Sequence, residues 1–202
     1  GVRLALPFLI ANARRVLGTE GAPDPALDIA NKRVLVLGGG DTAMDCVRTA
    51  IRVGAAEVSC VYRRDEASMP GSRREVKNAR DEGVQFVFNQ QPIAIEGQAF
   101  ATGVRFAQTH DGAHAGESGW VPSAGAHDGS RGQDFAAIGT ERVIPADIVI
   151  TAFGFRASPE AWLGDERIAV NEQGRVRIDG GLEQQTSNPR VFAGGDNVRG
   201  AD

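Results

Sequence analysis

Apolar positions along the chain shift between helical spacing, continuous runs and alternation, and each shift marks a new element. Leu4, Phe8, Ala11, Val16 and Leu17 recur at roughly one helical turn. This predicts a helix over residues 4–17 that the opening Gly1-Val2-Arg3-Leu4 already enters. From Gly18 to Asp28 the chain is rich in Gly, Pro and Asp and reads as a linker. Arg33 to Leu37 is a short Val/Leu run closed by three glycines, the form of a buried parallel strand. Ala43, Val47, Ala50 and Ile51 then share one face of a helix over 41–53, which Gly54 stops. Glu57 to Tyr62 is a second β-rich run, so strand, glycine turn, helix and strand follow within the ~30 residues of a βαβ unit.

Ser72, with Glu75 three positions on, matches a capping box and starts another helix, which Gly83 ends. Gln85 to Phe88, Pro92 to Glu96 and Gly103 to Gln108 alternate like a β-meander. Residues 109–139 lose that periodicity and are rich in Gly, Ala, Ser, Asp and His, the composition of a surface insertion. His110, His114 and His127 fall here. No cysteine and no suitably spaced carboxylate accompanies them, so a solvated loop is the better reading and a metal site the weaker one. Val143 to Phe153 is a largely apolar strand ending at Gly154, and Arg190 to Ala193 is a last short strand before Gly194-Gly195-Asp196.

The 202 residues suit one full domain plus part of another. A net charge of -4 argues against nucleic acid as the main partner. No apolar run approaches the roughly 20 residues needed to cross a bilayer, and no signal peptide opens the chain. Membrane association is therefore not expected. The start lacks Met and stands in mid-pattern, which reads as an internal piece of a longer protein. Cys46 and Cys60 are too few for a metal cluster and too far apart for a C-x-x-C pair. Reduced core thiols and a cytoplasmic location are expected.

The chemistry-bearing motif is Gly38-Gly39-Gly40-Asp41-Thr42-Ala43. Gly38, Gly40 and Ala43 satisfy G-x-G-x-x-G/A: a tight turn, a backbone open to a pyrophosphate, and a residue small enough for helix to meet strand. Free amides at the helix start would receive the phosphates. Alone this signal is weak, and a ligand-free glycine turn is the competing reading; the flanking strands and helix strengthen it. Dinucleotide folds that use NAD usually place Asp or Glu at the end of the second strand. Here Tyr62 stands at that place, 24 positions beyond Gly38, with Arg63 and Arg64 directly after it. Guanidiniums suit a 2′-phosphate, which predicts NADPH as the cofactor. Asp65 and Glu66 follow at once, so a solvated charged loop is the alternative.

Together, Gly38 to Cys46, Tyr62-Arg63-Arg64-Asp65-Glu66 and Met69-Pro70-Gly71 closely resemble the small chains of NADPH-dependent glutamate synthases. They are similar also to the flavin-bearing part of dihydropyrimidine dehydrogenases and, more distantly, to thioredoxin reductases, within the pyridine nucleotide-disulfide oxidoreductase-like flavoproteins. The resemblance runs from Ala5 to Asp202 and implies an α/β fold: a Rossmann-like dinucleotide-binding domain with a parallel sheet and β-meander, plus part of an FAD-binding domain. On that basis residues 1–30 lead in from the FAD domain, 31–155 form the NADPH domain and 156–202 return to the FAD domain. Thr186 to Asp196 resembles the second FAD motif, in which Gly195 and Asp196 approach the flavin and the carboxylate accepts from its ribityl chain. An ordinary Gly-Gly-Asp turn is the plainer reading of those residues. Ala152-Phe153-Gly154 resembles the crossing between the two domains, close to cofactor.

The resemblance further implies hydride transfer from NADPH to FAD, then electron flow through iron–sulfur clusters outside this piece to a glutamate synthase large chain. The chain alone is expected to bind NADPH without retaining FAD. It departs from thioredoxin reductases in having no C-x-x-C ahead of the glycine motif, which excludes their disulfide chemistry. It also has Ser68 near the place of their third arginine, and Arg73 or Arg74 could supply the replacement. No nucleophile–base pair is present, and no acid or base is nominated. Other acceptors (ferredoxin or a pyrimidine-reducing domain), a non-catalytic NADPH-sensing module and an NAD-dependent dehydrogenase remain as alternatives.

Overall fold

The computed structural model describes residues 1–19, 22, 24–109, 138–154 and 157–200, which form two compact units, Gly1–Phe153 and Gly154–Asp202. The first unit opens with β1 (Val2–Leu4) and α1 (Ala5–Val16), passes a single 3-10 turn (Pro25–Leu27) and enters β2 (Arg33–Leu37), α2 (Asp41–Val53) and β3 (Glu57–Val61). After α3 (Arg73–Asp81) come β4 (Gln85–Val87), β5 (Gln90–Glu96), β6 (Gly103–Gln108), β7 (Ile138–Pro145) and β8 (Ile148–Thr151). Strands pair in the order β1-β8-β2-β3-β4, all parallel, while β5-β6-β7 make a separate antiparallel sheet. The architecture is therefore mixed α/β with a Rossmann-like parallel sheet.

Side-chain alternation explains the layers. In β2, Val34 and Val36 face one way, with Val58 and Cys60 of β3 and Ile148 and Ile150 of β8. Phe8 of α1, Ala43, Met44, Val47 and Ala50 of α2, and Val76 and Ala79 of α3 cover them. Leu35, Leu37, Val61 and Val149 point to the opposite face, against Val104, Phe106, Ala146 and the partly buried Ile144. Both faces of the parallel sheet are thus buried, which is why its strands read as continuous apolar runs.

Gly40 opens α2 and Gly54 closes it at φ 100, a left-handed position where Gly has no Cβ penalty. Ser72 caps α3, its hydroxyl accepting from the Glu75 amide at 3.3 Å.

Three expectations change. Residues 2–4 are a strand pairing Val2, Arg3 and Leu4 with Val149, Ile150 and Thr151, because three residues are too few to separate a period of 2 from one of 3.6. The run 85–88 does not join a meander: β4 pairs parallel with β3, and only β5, β6 and β7 are antiparallel. The apolar run 143–153 is two elements, broken where Asp147 turns aside to pair with Arg33; its carboxylate accepts from the Arg33 amide at 2.9 Å and from Nη2 at 2.8 Å. Residues 110–137, with His110, His114 and His127, lie outside the described residues.

The described residues of the second unit include the short helices α4 (Trp162–Asp165) and α5 (Asp196–Arg199) and the isolated antiparallel bridges Val170–Val176 and Gln185–Phe192. The strand expected over 190–193 is one arm of the latter bridge. Its far end is a turn in which the Thr186 amide donates to the Val191 carbonyl at 2.9 Å.

Candidate functional site

The carboxyl ends of β2, β3 and β8 converge where the chain's course reverses: after β2 it crosses to β3 on one side, and β8 returns on the other. In open parallel sheets this switch point is where a crevice opens for a ligand. The glycine turn fills its floor. Gly38 has φ 143, and a Cβ placed on it would lie 2.2 Å from the Ala152 carbonyl oxygen, so only Gly lets β2 and β8 close up here. A Cβ on Gly39 would lie 2.5 Å from the Tyr62 ring, whereas one on Gly40 would meet nothing within 4 Å. The open space is therefore at Gly40, the residue that starts α2. Among the described residues no side chain caps that helix start; the Ala43 amide donates back to the Gly40 carbonyl at 2.9 Å, and the amides before it have no partner inside a helix. Ala43 is fully buried between helix and sheet. A cradle of this shape, with unsatisfied donors and the positive end of a dipole, suits a diphosphate.

Beside the cradle, the Tyr62 amide donates to the Val87 carbonyl at 2.9 Å, carrying the end of β3 past β4. The Tyr62 hydroxyl donates to the Ser68 carbonyl at 3.0 Å. Arg63 and Arg64 follow, half-buried, with their carbonyls accepting from the Thr109 hydroxyl and from the Asn89 amide respectively. The loop then folds back over the turn: the Gly71 amide donates to the Gly39 carbonyl at 2.9 Å, and the Ser72 amide to Asp41 Oδ1 at 2.8 Å. Arg73 and Arg74 stand exposed on the first turn of α3. The structure thus brings Gly38, Gly39, Gly40, Asp41, Thr42, Ala43, Tyr62, Arg63, Arg64 and Ala152 into one neighbourhood.

Two contacts there were not legible in the sequence. Cys60 donates its thiol to the Gly38 carbonyl at 3.3 Å; burial pushes both it and Cys46 up to about 12, so they are packing groups rather than nucleophiles. Gly71 and Ser72 clasp the turn, and Pro70-Gly71 was the turn signal that could have pointed to them. Among the described residues no group of His, Cys, Asp and Glu could hold a metal ion, and no helix is long and apolar enough to cross a membrane.

The remaining expected residues belong to the second unit. Gly154 opens it at φ 93. Gly195, at φ 67, precedes Asp196, whose carboxylate is exposed on the first residue of α5. That short helix is held at both ends, by the Val176 amide donating to the Asn197 carbonyl at 2.8 Å and by the Arg175 guanidinium donating to the Arg199 carbonyl.

Residues 11–201 match the pyridine nucleotide-disulphide oxidoreductase family. Over 100% of its length the chain is 50% identical to the glutamate synthase (NADPH) small chain of Escherichia coli and 48% identical to that of Halomonas elongata, and it spans 41% of each. The chain therefore covers less than half the length of these relatives. Among solved structures, thioredoxin reductase of T. acidophilum aligns with a TM-score of 0.62 over 95% of this chain and 49% of its own, at 19% identity, a likeness of fold.

Proposed function

The chain belongs to the pyridine nucleotide-disulphide oxidoreductase family, and from that premise we propose that it is the NADPH-binding part of a flavin-dependent oxidoreductase of the glutamate synthase small-chain type. One observation carries the reading: an open, uncapped glycine cradle at the switch point stands one strand away from a Tyr-Arg-Arg run where NAD-using folds keep a carboxylate. When bound, NADPH supplies a hydride and FAD accepts it; the cofactors carry that chemistry. The protein's share is placement. Amides from Gly39 to Thr42 receive the diphosphate, and Gly40, lacking a side chain, admits it. Arg63 and Arg64 bind the 2′-phosphate through charge-assisted bonds worth about 1.5–3 kcal/mol each.

Ala152 and Gly154 lie where the chain crosses from the NADPH region to the FAD-binding region, and Gly195 with Asp196 serve the flavin, the carboxylate accepting from a ribityl hydroxyl. The lack of a Cβ at Gly195 and the exposed Asp196 carboxylate are compatible with that role. Residues 31–155 are the NADPH domain, and 156–202 belong to the FAD-binding region. In the whole protein, electrons continue through iron–sulfur clusters outside this segment to a glutamate synthase large chain in the cytoplasm. The names of the relatives, glutamate synthase (NADPH) small chains, support the small-chain type and the choice of NADPH.

Titrating NADPH and NADH separately into the chain tests the cofactor. Wild type is expected to favour NADPH. Replacing Arg63 and Arg64 by Ala should cost NADPH about 100-fold or more in affinity and NADH little, since each lost bond is worth at least tenfold. Equal losses for the two cofactors would remove the arginines from the 2′-phosphate.

A further inference from the structure

Asp41 stands at the first position of α2, inside the cradle motif, where a carboxylate would oppose a bound diphosphate. Its oxygen is already engaged: Oδ1 accepts from the Ser72 amide at 2.8 Å, 31 residues along the chain. The neighbouring Gly71 amide donates to the Gly39 carbonyl at 2.9 Å, and a Cβ on Gly71 would lie 3.0 Å from that oxygen, so the two backbones touch. Between these fastenings and Tyr62, residues 63–71 form a loop braced internally by the Ser68 amide on Asp65 Oδ1 at 2.8 Å and by the Tyr62 hydroxyl on the Ser68 carbonyl. Arg63 and Arg64 lie at its start.

We propose that Asp41 is a positioning residue for cofactor choice: its bond to the Ser72 amide latches the 63–72 loop onto the glycine turn, so that the cradle for the diphosphate and the arginines for the 2′-phosphate are held at one fixed spacing. The inference rests on the NADPH reading above and adds the device that links its two halves. Asp41 acts through the loop and does not touch the cofactor. Without the latch the arginines keep their charge, but ordering them must be drawn from binding energy. NADH, which makes no use of them, is spared. The Asn89 and Thr109 contacts to the arginine carbonyls remain, so the loss is partial.

The test is NADPH and NADH affinity in the full chain for wild type, D41A and D41N, with amide hydrogen exchange at Ser72. D41A should weaken NADPH by about tenfold, the worth of one charge-assisted bond, and NADH by less than about twofold. D41N keeps an oxygen acceptor for the Ser72 amide and should restore both the NADPH preference and slow exchange at Ser72. S72P gives a second route, because Ser72 has φ -58, which proline accepts, while the ring Cδ takes the place of the N–H and pushes the Asp41 carboxylate off, with the hydroxyl lost as well. It should reproduce the D41A loss, whereas S72A, which keeps the N–H, should not; this pair decides the matter if D41A does not fold. Equal weakening of both cofactors in D41A, or tighter binding of both in D41N, would make Asp41 a direct neighbour of the diphosphate and overturn the latch. If wild type prefers NADPH and the arginine variant abolishes that preference while D41A leaves it intact, the latch fails and the NADPH reading stands. A wild type indifferent to the two cofactors overturns both.

Discussion

At the scale of single residues, the sequence shows which types are needed but not which atoms they meet. Gly38, Gly40 and Ala43 were legible because each meets a steric demand: closure on Ala152, open space, and a tight helix seat. Asp41 was legible only as part of a motif, since its partner at Ser72 is set by a loop whose path no local pattern encodes. Asp147 was read as part of a strand and is an ion-pair partner instead. The Arg33 side chain, then its backbone amide, hold the Asp147 carboxyl down from 3.8 to about 2. A depressed native pKa means stability that is present above the ordinary value and is lost as pH falls toward 2. D147N should therefore lower the urea midpoint at pH 7, and the gap from wild type should close between about pH 4 and pH 2. Both side chains are about two-fifths exposed, which keeps the effect modest. A gap that stays constant through that range would assign the loss to packing.

Among elements, α2 was the best predicted, with both ends set by glycines and one face by a 3.6-residue repeat. The strands were harder, because a run such as 143–153 carries no mark of which sheet receives each half; the break shows only where Asp147 interrupts the apolar residues. What joins α2 to α3 was also hidden. Arg48 of α2 pairs with Glu75 of α3 and with Glu82 just beyond it, the Glu82 contact measuring 2.8 Å, and Arg52 reaches the same Glu82 oxygen at 2.7 Å. Burial pushes the Glu82 carboxyl up, and the bonds from Arg48 and Arg52 outweigh it and hold it low. The other Glu82 oxygen is buried without a partner among the described residues, so little slack remains for the loss of a cation. R48A should cost about 2 kcal/mol, less than a fully buried pair because these side chains keep some solvent contact. Its deficit should shrink as pH falls below the ordinary carboxylate value, which chemical denaturation at pH 7 and about pH 3 will measure; a deficit that grows would mean the pairs were not the cause.

Across the molecule, the two units differ in how much apolar surface they bury. The first has a two-sided sheet with cores on both faces. In the described part of the second, Ile168 is the one fully buried apolar side chain. Opening free energy follows such burial. Hydrogen exchange should find the slowest amides in β2, β3 and β8 and the fastest across residues 157–200, and slow exchange throughout the second unit would show that something other than its own core protects it. The sheet order carries a consequence for synthesis. Among the described strands β1 sits at the edge and pairs with β8, encoded about 145 residues later. At roughly 5–20 residues per second, the ribosome needs about 7–30 s to deliver that neighbour. Throughout that interval β1 lacks the strand it pairs with, and its edge is open to chaperones.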